Sequence, residues 1–195
     1  MSRPAVFLDR DGVLVEEIYY AHTGEREAPL APEDVRLLPG IAMALRQLAD
    51  AGFALVVISN QGGYAKGKTT LRALWQAHER FVALLAEQGA SLDGSYYSYG
   101  HPDGIVPYFS GPSLDRKPGP YNVLIAAAQL DLDCGGSWMI GDRNTDVACA
   151  IAAGVRPILV AGDVGPTDHT AELIQVPDLP RAVEIILQAR SASQP

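Results

Sequence analysis

Ala5-Val6-Phe7-Leu8-Asp9-Arg10-Asp11-Gly12-Val13-Leu14 opens the chain with an apolar run that ends in two carboxylates and a glycine. The apolar residues predict a buried strand over residues 5–9, and chain reversal at Gly12 leaves both acids at its carboxyl end. That end is where open parallel sheets bind ligands. Residues i and i+2 of a strand share a face, so a strand continuing through Arg10 would set Asp9 beside Asp11, and like charges so placed need a cation or a shared proton. With a divalent metal, one carboxylate can stay ionised as a nucleophile while the other carries a proton as general acid. An acidic surface turn and a calcium loop are the blander readings. The calcium loop fits poorly, because Gly12 comes too early and Val13, Leu14 and Val15 fill positions where an EF-hand needs oxygen ligands.

Outward from this strand, helical and apolar patterns alternate. Residues 40–51 predict a helix, 53–59 a strand, 70–88 a helix, 94–99 a strand, 120–130 a helix, 137–140 a strand, 145–153 a helix and 156–160 a strand. The helix over 70–88 carries Leu71, Leu74, Trp75, His78, Phe81, Val82 and Leu85 as one stripe. Near-continuous apolar strands separated by helices imply a parallel sheet covered on both faces, hence a doubly wound α/β fold. The expected organisation is a single domain over residues 1–190 with 191–195 as a frayed tail. Segments 16–39 and 100–120, the second with five prolines, lack periodicity. Both leave the carboxyl ends of predicted strands, so they are expected to rim one cleft as a minimal cap made of loops; plain solvated connections are the alternative.

Composition excludes several classes. A chain of 195 residues with 48% hydrophobic content can bury one sizeable core. A formal net charge of −8 argues against a general nucleic-acid or anionic-membrane binder, although a local Arg and Lys cluster could still hold phosphate. There is no basic segment leading into an apolar one and no apolar run near membrane-spanning length, so a cytoplasmic protein is expected. Cys134 and Cys149, the two cysteines, lack CxxC spacing and read as reduced, packed thiols.

Three further clusters end or follow predicted strands. Ser59-Asn60-Gln61 supplies a hydroxyl and two amides, and Arg116-Lys117-Pro118 supplies a point charge for phosphate before a helix. Gly141-Asp142-Arg143-Asn144-Thr145-Asp146 opens another helix, so that Asp142 can point into the cleft as a metal ligand while Asp146 supports it from the first turn. Singly, each has a bland alternative: Ser59 a cap, Lys117 a solvated charge, Asp146 an acid favoured at a helix N-terminus.

Taken in order, Asp9-Arg10-Asp11-Gly12, Ser59, Lys117 and Gly141-Asp142 through Asp146 resemble the haloacid dehalogenase superfamily of phosphatases over nearly the whole chain. The wording DRDG, Asn60-Gln61-Gly62-Gly63 with Lys66-Gly67, and Arg116-Lys117-Pro118 is similar to the branch of heptose bisphosphate phosphatases and histidinol phosphatases. The resemblance implies Mg²⁺ held by Asp9, Asp11 through its backbone carbonyl, and Asp142. It implies Asp9 as nucleophile, Asp11 as acid and base, Ser59, Asn60 and Lys117 at the transferring phosphate, and Asp146 behind them. Gln61, Lys66, Arg116 and Arg143 are candidates for gripping a second phosphate or sugar hydroxyls. The favoured substrate is a small sugar phosphate, heptose 1,7-bisphosphate losing its 7-phosphate, with histidinol phosphate as runner-up and a monomeric enzyme as the default.

In one respect the chain departs from that branch. Members commonly hold zinc through a Cys-x-His and a Cys-x-Cys pair, where this chain reads Ser98-Tyr99-Gly100-His101 and Ser113-Leu114-Asp115. A lone His101 cannot complete a four-ligand site, so no structural zinc is expected, and the prolines with Tyr108 and Phe109 are expected to pack the loop. A competing motif is Gly62-Gly63-Tyr64-Ala65-Lys66-Gly67-Lys68-Thr69, which matches the P-loop expression G-x-x-x-x-G-K-[ST] and would mean a nucleotide-binding kinase. That reading leaves Asp9, Asp11 and Lys117 without a task.

Overall fold

Alternate residues of the first strand, β1 (Arg3–Leu8), feed two separate cores. Val6 and Leu8 join one apolar cluster, Ala5 and Phe7 the other, as side-chain alternation demands of a strand buried on both faces. The computed structural model describes residues 2–160 and 173–192. After β1 come β2 (Ile18–Tyr20), β3 (Glu25–Glu27), a 3₁₀ turn at Pro32–Asp34, α1 (Ile41–Asp50), β4 (Ala54–Asn60), α2 (Leu71–Glu87) and β5 (Gly94–Ser98). Then follow α3 (Tyr121–Leu130), β6 (Leu132–Gly141), α4 (Asn144–Ala152), β7 (Arg156–Val160), β8 (Ile174–Val176) and α5 (Leu179–Ala192).

Six strands form a parallel sheet in the order β5-β4-β1-β6-β7-β8. The first cluster joins the sheet to Leu45 and Leu48 of α1, Phe81 and Leu85 of α2, and Val183 and Ile186 of α5. The second joins it to Val123 and Ala126 of α3 and Cys149 and Ala150 of α4. The chain moves outward from β1 through β4 to β5, then returns to β6 on the other side of β1. The crevice at the carboxyl ends of β1 and β6 is therefore the topological switch point, where ligands bind in such sheets.

The structure alters several expectations. Strand geometry stops at Leu8, and Gly12, with φ +81°, closes a tight turn in which Leu14 and Val15 N–H both donate to Arg10 O. Asp9 keeps one ladder bond, its N–H donating to Ile140 O of β6 at 2.9 Å, and Asp11 lies within the turn. Segment 16–39 contains the antiparallel β2–β3 hairpin, whose three-residue strands are too short to show a period. Strand β6 begins at Leu132, not Ser137, because Gly135 and Gly136 sit in a register shift against β1 instead of a turn. The α2 face is rotated: Leu74, Ala77, Phe81 and Leu85 are buried, while Leu71, Trp75 and Val82 are exposed. Helix α5 runs through Ser191 and Ala192; the remainder of the expected tail, 193–195, lies outside the described residues. Both cysteines are free, Cys149 buried and Cys134 partly so, and no helix among the described residues is long and apolar enough to cross a membrane.

Candidate active site

Four strand ends converge on a cleft of about 490 Å³ lined by Asp9, Asp11, Ser59, Asn60, Gln61, Lys66, Arg116, Lys117 and Arg143 among others. Asp9, one residue past β1, directs Oδ1 at the Lys117 ammonium, 2.9 Å away, and accepts the Arg10 N–H at 2.7 Å. Lys117 Nζ also meets Asp146 Oδ1 at 2.6 Å and donates to Ile58 O at 2.8 Å. Burial alone would lower the Lys117 pKa, but Asp9 and Asp146 outweigh it and hold the ammonium above the ordinary lysine value. Asp146 reaches this position from the first turn of α4, where its Oδ2 accepts the Arg143 N–H at 3.0 Å. The GDxxxD spacing, read as setting Asp146 in support of Asp142, places Asp146 against the Lys117 ammonium.

Asp142 behaves differently. Burial, then Asp9 and Asp146, push its carboxyl up to about 7, and its Oδ1 is a buried oxygen without a hydrogen-bond partner. Carboxylate oxygens of Asp9, Asp142 and Asp146 lie within 4.8 Å of one another. With Asp146 and Asp9 Oδ1 turned to Lys117, the second Asp9 oxygen and the Asp142 carboxylate remain to hold a cation. An all-oxygen, acidic set with an unsatisfied oxygen suits a hard divalent metal. A side chain at Gly12 would overlap the Asp142 carboxylate, so glycine is required there on two counts.

Three expected contacts change. Asn60 does not face a ligand with its amide: Nδ2 donates to Lys117 O at 3.1 Å and Oδ1 accepts Lys117 N–H at 3.0 Å, latching β4 to the Arg116-Lys117-Pro118 segment. Gln61, read as a specificity residue, is buried, and both ends of its amide are occupied. Nε2 donates to Asp11 Oδ2 at 2.6 Å and to Ser59 Oγ at 3.0 Å, while Oε1 accepts from Arg10 Nη2 at 2.7 Å. Arg143 pairs with Glu17 from an exposed position. By contrast, the Arg116 guanidinium has no carboxylate partner among the described residues and donates to Gly100 O at 3.0 Å, and burial together with Arg143 lowers its pKa; an anion beside it would offset both.

Sequence reasoning missed Arg26, His101, Glu17, Glu25 and Glu27 as cleft residues. Segments 16–39 and 100–120 were expected at the rim, but neither the β2–β3 hairpin nor the loop that carries His101 has a pattern that marks which side chains face the cleft. Lys68 holds that hairpin through Glu25 at 2.7 Å and Glu27 at 2.5 Å. The hairpin also disposes of the P-loop reading. A phosphate cradle needs free N–H groups, yet those of Lys66, Gly67 and Lys68 donate to Gly62 O, Tyr64 O and Gly63 O, and Lys68 is spent on the two glutamates. In the long loop, Phe109 packs edge-on against Tyr64, but Tyr108 is fully exposed and packs nothing. Asp115, accepting from Ser98 and Ser113, ties the loop ends together instead.

Comparison with known proteins agrees with this geometry. A family model described as HAD-hydrolase-like matches residues 114–183, which contain Lys117 and Asp142. The chain is 34% identical over 189 residues to the D-glycero-beta-D-manno-heptose-1,7-bisphosphate 7-phosphatase of Yersinia pestis, covering 94% of this chain and 96% of that one. It is 40% identical over 169 residues to the corresponding 7-phosphatase of Thermosynechococcus vestitus, covering 85% and 82%. Among solved structures, the D,D-heptose 1,7-bisphosphate phosphatase of B. bronchiseptica, complexed with magnesium and phosphate, superposes with a TM-score of 0.78 at 26% identity, covering 95% and 99%. Similarity of this depth, running through the strand ends that build the cleft, means that the chain belongs to the haloacid dehalogenase-like phosphatases, in the family of the heptose bisphosphate 7-phosphatases.

Proposed function

We propose that this phosphatase removes the 7-phosphate of D-glycero-D-manno-heptose 1,7-bisphosphate in the cytoplasm, with Mg²⁺ held by the Asp9 and Asp142 carboxylates and the Asp11 backbone carbonyl. The observation that carries the reading is the buried Asp9 carboxylate facing the Lys117 ammonium, with carboxylate oxygens of Asp142 and Asp146 within 4.8 Å and Asp142 Oδ1 left without a partner. When bound, Mg²⁺ supplies positive charge that offsets repulsion between Asp9 and the phosphate dianion. Asp9 attacks phosphorus to give an aspartyl phosphate, and Asp11 protonates the departing sugar oxygen. Asp11 then takes a proton from the water that hydrolyses the intermediate. Ser59 and Lys117 hold the equatorial oxygens, the electrostatic contribution that dominates phosphoryl transfer.

Substrate choice rests on the relatives' activity and on charge. Among the described residues, Arg26, Lys66 and Arg116 line the cleft without an ion pair. A second phosphate satisfies them, and histidinol phosphate has none to offer. Free thiols at Cys134 and Cys149 accord with a reducing compartment. The test is phosphate release with Mg²⁺ from the two heptose 1,7-bisphosphate anomers, the corresponding monophosphates, histidinol phosphate and ATP. We expect the bisphosphates to lead in kcat/KM and to lose only the 7-phosphate; a preference for histidinol phosphate would refute the substrate assignment.

A further inference from the structure

Arg10 is almost wholly buried, 2% exposed, and the chemistry above gives its charge no task. Its Nε donates to Asp11 Oδ1 at 3.0 Å and its Nη2 to Gln61 Oε1 at 2.7 Å. Gln61 Nε2 returns to the other Asp11 oxygen at 2.6 Å, closing a ring of three side chains. The guanidinium lies 5.6 Å from the Tyr97 ring centroid, and the Tyr97 hydroxyl meets His78 Nδ1 of α2 at 2.9 Å.

We propose that Gln61 and Arg10 are positioning residues that fix the Asp11 carboxylate for proton transfer to and from the reacting oxygens. The inference rests on the phosphatase reading and goes beyond it. Asp11 accepts from three side chains, Arg10, Gln61 and Ser59, and an ionised carboxylate offers about four lone-pair positions, so about one remains for the transferred proton. The Ser59 contact is the longest, 3.3 Å, and its hydroxyl is the one wanted by phosphate, which leaves Arg10 and Gln61 as the lasting supports. Gln61 has a single sensible orientation: reversing its amide would set donor against donor at Arg10 and acceptor against acceptor at Asp11.

The consequence is specific to one bond. As an Asp9 oxygen bonds to phosphorus, the ester P–O bond breaks and its electron pair passes to the sugar oxygen, which takes the Asp11 proton. In hydrolysis, water oxygen bonds to phosphorus, Asp11 accepts its proton and the P–O electron pair returns to Asp9. A sugar alkoxide cannot leave without that proton, whereas p-nitrophenolate can. Loss of Asp11 alignment must therefore harm the two esters unequally.

Gln61→Glu keeps the oxygen that meets Arg10 and replaces the donor at Asp11 with an oxygen; Arg10→Lys keeps the buried charge and removes the fork. With Mg²⁺, kcat/KM is measured for heptose 1,7-bisphosphate and for p-nitrophenyl phosphate. We expect kcat/KM on the sugar ester to fall by about 10²-fold, the lower range for a general acid, mainly through kcat. The loss on p-nitrophenyl phosphate should be at least ~10-fold smaller, with the Mg²⁺ half-saturation point unmoved. A smaller contrast between the esters in the variants that fold overturns the positioning role. A wild type with no Asp9-dependent release from either ester overturns the phosphatase reading itself, and this inference with it.

Discussion

Lys117 answers two demands at once, since the same ammonium that faces the cleft is the only cation paired with Asp9 and Asp146 among the described residues. Removing one partner of a buried ion pair leaves the other desolvated without compensation, at about 3–5 kcal/mol. Lys117→Met, which retains the stem, is therefore expected to lower unfolding free energy by about that amount in urea titrations without divalent cations, and to abolish turnover. Stability equal to wild type would show that the two acids do not depend on the ammonium. At this scale the sequence displayed residue types and not their partners. Asp9, Lys117, Asp142 and Asp146 were legible because strand-end motifs fix where they emerge. Asn60 and Gln61 line the cleft, but their amide partners were not legible, because those groups come from segments distant in sequence, Lys117 before α3 and Asp11 after β1.

Elements were legible where they are long and periodic. Helices α1 to α4 and the strands β1, β4, β5 and β7 fall within a few residues of their expected bounds, whereas α5 and β8 carry no expectation. The β2–β3 hairpin was not, because three-residue strands carry no period, and β6 was cut short by glycines that normally mark turns. The segment before α2 shows how local chemistry decides between readings. Thr69 Oγ1 donates to Leu30 O, while Thr70 Oγ1 accepts the Ala73 N–H at 3.1 Å and caps the helix. A P-loop would aim this helix start at phosphate; here it is a structural cap. Thr70→Ala should cost about 1 kcal/mol, lowering Tm by about 2–4 °C, with kcat unchanged. A fall in turnover without a fall in Tm would return this helix start to the chemistry.

At the scale of the whole molecule, sheet order and charge distribution explain why an acidic protein handles anions. The chain has 15 Lys and Arg against 23 Asp and Glu. Its cleft, however, balances five cations, Arg26, Lys66, Arg116, Lys117 and Arg143, against five acids, Asp9, Asp11, Glu17, Glu25 and Glu27. Net charge could not reveal this; the switch point between β1 and β6 does, by gathering strand ends far apart in sequence. That gathering is also why the site could be read from spacing; segments 16–39 and 100–120 do rim the cleft as expected, but which of their side chains face it could not be read, since the hairpin and loops have no pattern. The central claim is that Asp9 is the nucleophile of a Mg²⁺-dependent phosphatase. It is tested most directly by phosphate release from heptose 1,7-bisphosphate with Mg²⁺, wild type against Asp9→Asn. The account predicts turnover in the wild type and loss to background in a variant that unfolds cooperatively like it; turnover near wild type in Asp9→Asn would contradict it.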